Sequence, residues 1–393
     1  MHTTAKPTST ELAARAAGLV PVLREHADWS ERNRRLSDEA VEALKDAGVL
    51  RMRVPARFGG YESSASDLLD VGIELGRGDG AVAFTVAVWW ITSWNVGLFS
   101  DEAQDEVFAD PDARISGTLV IGGTAEQRPG GIRVNGRWSF NSGAAHSTWK
   151  LLSVLAPTAD GDPEPVMAVV PMRELRMIDD WEVAGLRGTG SVTVAAEDVF
   201  VPAARCLSIP AFTRGEYASK LNAGLPMFHT PLVGAVAAST TGKIIGMARA
   251  GAEDFFERVQ RRPITNTTYE RQADAPITHL QAGEAMLQID EAEGHARRLA
   301  ALIDGKAGSG AEWTLRERAY VRAVAGRVPR LGADAADLLA GASGASSLYT
   351  DQLIQRVRRN LQAVTVHSLH LPTATAELYG RVLCGLEPNT FFI

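Results

Sequence analysis

Cysteine is nearly absent: 393 residues hold two, Cys206 and Cys384, far apart and without metal-type spacing. That excludes a disulfide framework and predicts a reducing, cytoplasmic setting. No basic stripe is present and the formal net charge is -7, so nucleic acid is not an expected partner. No apolar stretch is long enough for a bilayer: the longest, Ala81 to Ile91, is broken by Thr85 and falls well short of the about 20 residues a spanning helix needs. Met1 to Ser9 lacks an apolar core and reads as a frayed polar tail instead of a signal peptide. No GxGxxG opens a helix, so the chain carries no NAD(P)H fingerprint. Neither a repeat nor a low-complexity segment is visible.

What is present is a 45% hydrophobic composition, enough for a large core and two or three domains. Thr10 to Ala27, with inner positions Leu12, Ala16, Leu19, Val20 and Leu23, predicts a helix interrupted by Pro21. A second begins after Ser37, an N-cap, and stops at Gly48. Ser66 to Gly76 and Asp79 to Phe99 predict two more, the latter buried. Its tryptophans are core by default; Trp90 and Trp94 are candidates to line a substrate pocket.

From Arg114 the pattern shifts to short strands with glycine turns, which predicts a small barrel or sandwich. Expected strands are Ile115 to Val120, Leu151 to Ala156 and Val166 to Val170, the last two joined by the loop Asp160-Gly161-Asp162-Pro163. Turns are expected at Gly130-Gly131, at Asn135-Gly136 and at Glu197-Asp198, the last between strands Val192 to Val194 and Val199 to Val201. Two stretches carry chemistry. One is Trp138-Ser139-Phe140-Asn141-Ser142-Gly143, followed by His146, an expected exposed loop histidine. The other is Gly185-Leu186-Arg187-Gly188-Thr189-Gly190-Ser191. Its three glycines let a backbone pass close to something flat or anionic, and its two hydroxyls can hydrogen-bond that ligand.

The rest is helical: Leu232 to Arg261, Thr278 to Asp304 with inner Leu280, Ala285, Ile289 and Ala292, and Thr314 to Leu339 with a kinking Pro329. Thr265 to Pro276 is a polar loop, for substrate contact or disordered, and Ala307 to Ala311 is another loop. Leu353 to His370 is the last major helix, carrying Arg356, Arg359 and Asn360 and then His367 and His370 on one face. These two histidines lack a third ligand, so no metal is expected.

Taken together, the WxFxSG and GLRGTGS stretches and the LxxxGVxxxxVPxxFGG pattern near the start resemble the acyl-CoA dehydrogenase superfamily over nearly the whole chain. Within it they resemble the two-component flavin-dependent monooxygenases: aromatic hydroxylases, dibenzothiophene monooxygenases and amino-sugar nitrososynthases. The resemblance implies an α+β, acyl-CoA dehydrogenase-like fold: an N-terminal helical domain (1–112), a middle β-barrel domain (113–214) and a C-terminal four-helix bundle (215–393). It implies reduced FAD or FMN, a separate NAD(P)H-dependent flavin reductase, O2, a small-molecule substrate and a homotetramer. Flavin contacts are expected from Trp138, Asn141, Ser142, Gly188, Thr189, Ser191, Arg262, Ser343, Gly344 and Arg359. Catalytic roles are expected for Ser142 and for His367 or His370, donating to or shielding a C4a-hydroperoxyflavin. Oxygenation of an aromatic or heteroaromatic, phenolic, indolic or sulfur-containing, is the leading expectation. N-oxygenation of an amine or amino sugar is the alternative. An acyl-CoA dehydrogenase is disfavoured, because the glutamate base that many members carry after the arginine pair is Ser368 here, and no acid lies between Asp351 and Glu377.

Overall fold

The computed structural model describes residues 6–157 and 162–393. Residues 1–5 of the expected tail, and 160–161 of the expected loop, lie outside that range. Thr8 is no part of a tail: it forms a capping box with Glu11 and starts α1 (Ser9–Asn33), which runs past the expected end at Ala27 because Ser30 continues its buried stripe. Ser37 caps α2 (Asp38–Asp46), and Gly48 follows in the left-handed conformation, as its sequence predicts. Then come α3 (Ala65–Gly78), α4 (Gly80–Val96) capped by Asp79, and α5 (Asp101–Val107).

Among the described residues seven strands follow: β1 (Ile115–Arg128), β2 (Gly131–Trp138), β3 (Trp149–Pro157), β4 (Pro163–Pro171), β5 (Arg176–Ile178), β6 (Thr193–Pro202) and β7 (Cys206–Ser208). They form one sheet in the order β5-β6-β2-β1-β3-β4-β7, with β1 and β3 parallel. One face gathers Val134, Trp138, Leu152, Val154 and Val201 into an inner cluster. The other packs Ile115, Leu151, Met167 and Val169 against Trp94, Phe99 and Phe228.

Two expected turns are not turns. Asn135-Gly136 lies inside β2, paired with Thr124 and Gly123 of β1, and Gly130 supplies the hairpin turn instead. Glu197-Asp198 is a bulge within β6. Asp198 takes a positive φ of 56° and its N–H donates to Asn135 Oδ1 at 2.8 Å, where the β2–β6 register shifts. Turn-forming side chains here lock a bulge, a use that local sequence does not distinguish from a hairpin.

After α6 (Ile209–Thr213) come α7 (Leu232–Val259), α8 (Pro276–Ser309), α9 (Leu315–Ala342), α10 (Leu353–Thr365) and α11 (Pro372–Leu383). α8 continues through the expected loop at Ala307 and stops at Gly310. Its inner stripe is Ala285, Ile289 and Ala292, whereas Leu280 is 75% exposed. The helix expected to reach His370 ends at Thr365, and Pro372 opens α11 at its first turn, a position proline favours as readily as a stop. α3 and α7 pack closely, and one core, including Leu68, Leu75, Ile244, Met247, Val324 and Leu331, joins the N-terminal helices to the C-terminal ones. Among the described residues no helix is long and apolar enough to cross a membrane.

Candidate active site

Helix α4 is the spine of the site because it is apolar all round and buried almost throughout. Ala81, Thr85 and Trp89 face the sheet side: a Cβ on Gly188 would stand 3.0 Å from that of Ala81, and one on Gly143 would run into Thr85 and Trp89. Gly80 and Phe84 face the C-terminal helices, meeting Asn360, Lys243 and His367. Both motif-bearing regions therefore pack on one helix.

On the sheet side, the loop 185–191 is pinned by protein on every flank. Leu186 has a positive φ of 55°, and its N–H donates to Asn360 Oδ1 at 2.7 Å. Its carbonyl accepts from Thr189 Oγ1 at 2.8 Å. The Thr189 and Ser191 hydroxyls are 2.7 Å apart, and Ser191 and Ser142 again 2.7 Å. The Gly143 N–H donates to Thr189 O at 2.8 Å, and the Asn141 amide holds Val192 O at 2.8 Å. All three hydroxyl residues are buried. Because the Thr189 proton goes to a carbonyl, Ser191 must donate to Thr189 and Ser142 to Ser191. Ser142 Oγ is left with lone pairs only, an acceptor and not the donor its sequence suggests.

On the other side, His367 and His370 sit in the turn between α10 and α11, not on one helix face, yet their rings lie 5.3 Å apart. His370 is fully buried and its Nδ1–H donates to Ala325 O at 2.9 Å. His367 Nδ1 accepts from the Leu369 N–H at 3.2 Å, which leaves the proton on Nε2 and makes that nitrogen a donor. Burial, then the charges of Lys243 and Arg322, lower the His367 pKa to about 4. Its ring meets Phe84 edge-on at 6.1 Å. Lys243, which sequence analysis missed, lies over the same Phe84 ring, 4.4 Å from its centroid. A signal existed: Lys243 is the one charged residue between Leu232 and Ala248.

A third cluster brings Arg262, Ser343 and Gly344 together. Arg262 Nη1 donates to Ser343 O at 2.6 Å, and neighbouring Arg258 reaches Ser346 Oγ at 3.2 Å. No described carboxylate pairs with Arg262, and burial followed by Arg258 lowers its pKa. Two arginines beside a hydroxyl-bearing turn with a positive-φ glycine are a donor set for an anion such as phosphate.

Several residues expected at the site also hold the fold together. Trp138 is in the inner sheet core, its indole N–H on Ser153 O at 2.8 Å. Trp90 donates to Val49 O and Trp94 to Met227 O, and both are buried in core. The glycines of the 185–191 loop admit close protein neighbours: Gly185 the Arg359 carbonyl, Gly188 Ala81, Gly190 the Arg34 carbonyl. Arg359 pairs with Glu31 at 2.8 Å and with the Ala184 carbonyl, tying α10 to α1 and to the loop. His146 is no exposed histidine: its side chain is 8% exposed and its Nε2 meets Leu36 O at 2.9 Å. Gln272, in the loop between α7 and α8, is buried and its side chain bonds Ala342 O at 2.8 Å. A cavity of about 450 Å³ at the far end of the sheet, among Gln127, Gly130, Ile132 and Cys206, lacks this chemistry.

The described residues thus hold three polar clusters: hydroxyls on the sheet side of α4, imidazoles on its other side, and arginines with hydroxyls where Arg262 meets the end of α9. Residues 14–114 match the acyl-CoA dehydrogenase N-terminal domain and 238–372 the acyl-CoA dehydrogenase C-terminal domain. The chain is 31% identical to the flavin-dependent monooxygenase oxygenase subunit HsaA of Rhodococcus jostii, over 95% of this chain and 98% of that one. It is 28% identical to the FADH(2)-dependent resorcinol hydroxylase oxygenase component of a Rhizobium species, over 96% and 95% of the two chains. The solved structure of XiaF from Streptomyces, in complex with FADH2 and glycerol, superposes with a TM-score of 0.91 at 29% identity, covering 97% of each chain.

Proposed function

Since the chain belongs to the flavin-dependent monooxygenases built on the acyl-CoA dehydrogenase fold, we propose that it is an oxygenase component that oxygenates a small aromatic or heteroaromatic substrate, its reduced FAD or FMN delivered by a separate NAD(P)H-dependent flavin reductase. When bound, the reduced flavin supplies the electrons that activate O2. The chain's own residues orient and shield that chemistry. Ser142 presents an acceptor fixed by Ser191 and Thr189, suited to an N–H on the reduced ring. His367 presents a neutral Nε2–H donor. Phe84 and the apolar face of α4 keep water out. Arg262, with Ser343 and Gly344, suits the flavin's phosphate, and Asn141 holds the strand end carrying Ser142.

The observation that carries this reading is the donor-tautomer His367, held beside Phe84 of α4 in a turn where a dehydrogenase would need a carboxylate base. The turn offers none: Ser368 is exposed, and no acid lies between Asp351 and Glu377. Assembly into a homotetramer is part of the same reading. α8 leaves Ile277, Leu280 and Leu287 exposed along one stripe, with Leu348 and Tyr349 exposed elsewhere, apolar surface that a partner copy would cover. Free Cys206 and Cys384 suit a reducing cytoplasm. The test is product formation from an aromatic panel, with the reductase present and with it omitted. Direct and efficient NAD(P)H oxidation by this chain alone would count against the two-component assignment.

A further inference from the structure

Lys243 and Arg322 are buried cations without counter-ions. Lys243, in the middle of α7, is 1% exposed and makes no salt bridge or hydrogen bond among the described residues; its ammonium rests on the Phe84 ring face at 4.4 Å. Arg322 of α9 is equally short of partners among the described residues, with a buried Nε that has no acceptor, and it borders a cavity of only about 10 Å³ with Val236, Ala325 and Leu369. Lys150 shows how this fold treats a lysine kept only for structure: it is as buried, but its Nζ donates to Leu151 O at 2.7 Å. Stripping water from an ammonium costs more than one aromatic face returns. Burial alone brings the Lys243 pKa down to about 7. Two cations near His367, neither paired with a carboxylate among the described residues, have the form of a site whose anion arrives with the ligand.

We propose that Lys243, supported by Arg322, is the specificity residue of this active site: it takes an anionic oxygen on the aromatic substrate and sets the ring against Phe84, beside His367. The anionic oxygen is a phenolate or a carboxylate. This rests on the aromatic oxygenase reading above, and it adds that neutral aromatics are discriminated against.

Equilibrium titration of protein loaded with oxidised flavin tests it without turnover, using two matched pairs: 4-nitrophenol with nitrobenzene, and phenylacetate with phenylacetamide. Wild type binds the acidic member of at least one pair about tenfold or more tighter, the worth of a charge-assisted hydrogen bond. Lys243→Met abolishes that preference and Lys243→Arg keeps most of it. The pair that shows the preference distinguishes phenolate from carboxylate. Without ligand, Lys243→Met melts at a higher temperature than wild type, because an unpaired buried charge is gone; Lys243→Gln serves for the titration should the methionine variant fail to fold. Equal affinity for acid and neutral partners in wild type overturns the proposal, as does equal loss of both in Lys243→Met, or a loss of flavin affinity in their place. Wild-type oxygenation of an aromatic panel holding both acidic and neutral members, scored separately, tests the underlying function whatever this titration returns.

Discussion

The Ser142 and Ser191 hydroxyls lie 2.7 Å apart, and the direction of that bond is decided at Thr189. Thr189 gives its one proton to the Leu186 carbonyl at 2.8 Å, so each hydroxyl upstream must donate down the chain. Ser142 is therefore left as an acceptor, the role proposed for it at the flavin edge. Ser142→Ala should lower product formed per reduced flavin by about tenfold, the cost of leaving one buried partner unpaired, with hydrogen peroxide rising in step. Ser191→Ala should lower it less, because Ser142 stays but turns. Flavin affinity should change little in either. Equal, wild-type coupling in both variants would remove this edge from the mechanism.

His367 and His370 should separate cleanly. His367→Ala removes the Nε2–H donor, so coupled product should fall about ten- to hundredfold while the melting temperature moves little. His370→Ala leaves the buried Ala325 carbonyl without its donor, so stability should drop by about 1–3 kcal/mol while coupling per folded molecule holds. Thermal melts and product yields on the same preparations decide it; the reverse pattern would make His370 the site residue.

The pH dependence follows from the lowered His367 pKa of about 4. A histidine whose folded pKa is depressed binds fewer protons than the unfolded chain, so its contribution to stability is present above pH about 6.5 and is lost as pH falls toward about 4. The ring stays neutral through pH 5 to 8, so coupling should show no inflection at about 6.5 and should decline only near about 4. A yield profile with a limb at about 6.5 that vanishes in His367→Gln would contradict this.

Arg262→Ala should weaken flavin binding by about tenfold, the worth of one charge-assisted contact, without lowering the melting temperature. Asn360→Ala should do the opposite. It strands the buried Leu186 N–H and should cost about 1–3 kcal/mol of stability while flavin affinity follows only through the loosened loop. Fluorescence titration of flavin and thermal melts distinguish the two.

Much of this was legible in the chain. Ser142, Thr189 and Ser191 announce themselves by residue type, and the structure joins them through hydroxyl contacts 2.7 Å long. What sequence misjudged were residues whose chemistry serves packing. The glycines at 185, 188 and 190 admit the Arg359 and Arg34 carbonyls and the side of Ala81. Trp90 and Trp94 spend their indole N–H groups on backbone carbonyls, and a run of tryptophans gives no sign of which face is wet. Pro372 was ambiguous because proline suits the start of a helix as well as its stop. Lys243 needed the opposite inference: a single charge in an apolar helix is a cost, and a cost retained at a site asks for a ligand.

The most direct measurement is isotopic. The purified chain is mixed with chemically reduced flavin, 18O2 and an aromatic panel, with no NAD(P)H and no reductase, and products are analysed by mass spectrometry. The account predicts a product carrying one 18O atom, at a yield limited by the reduced flavin supplied. A dehydrogenated product without label, or label arriving only from H2 18O, would contradict it.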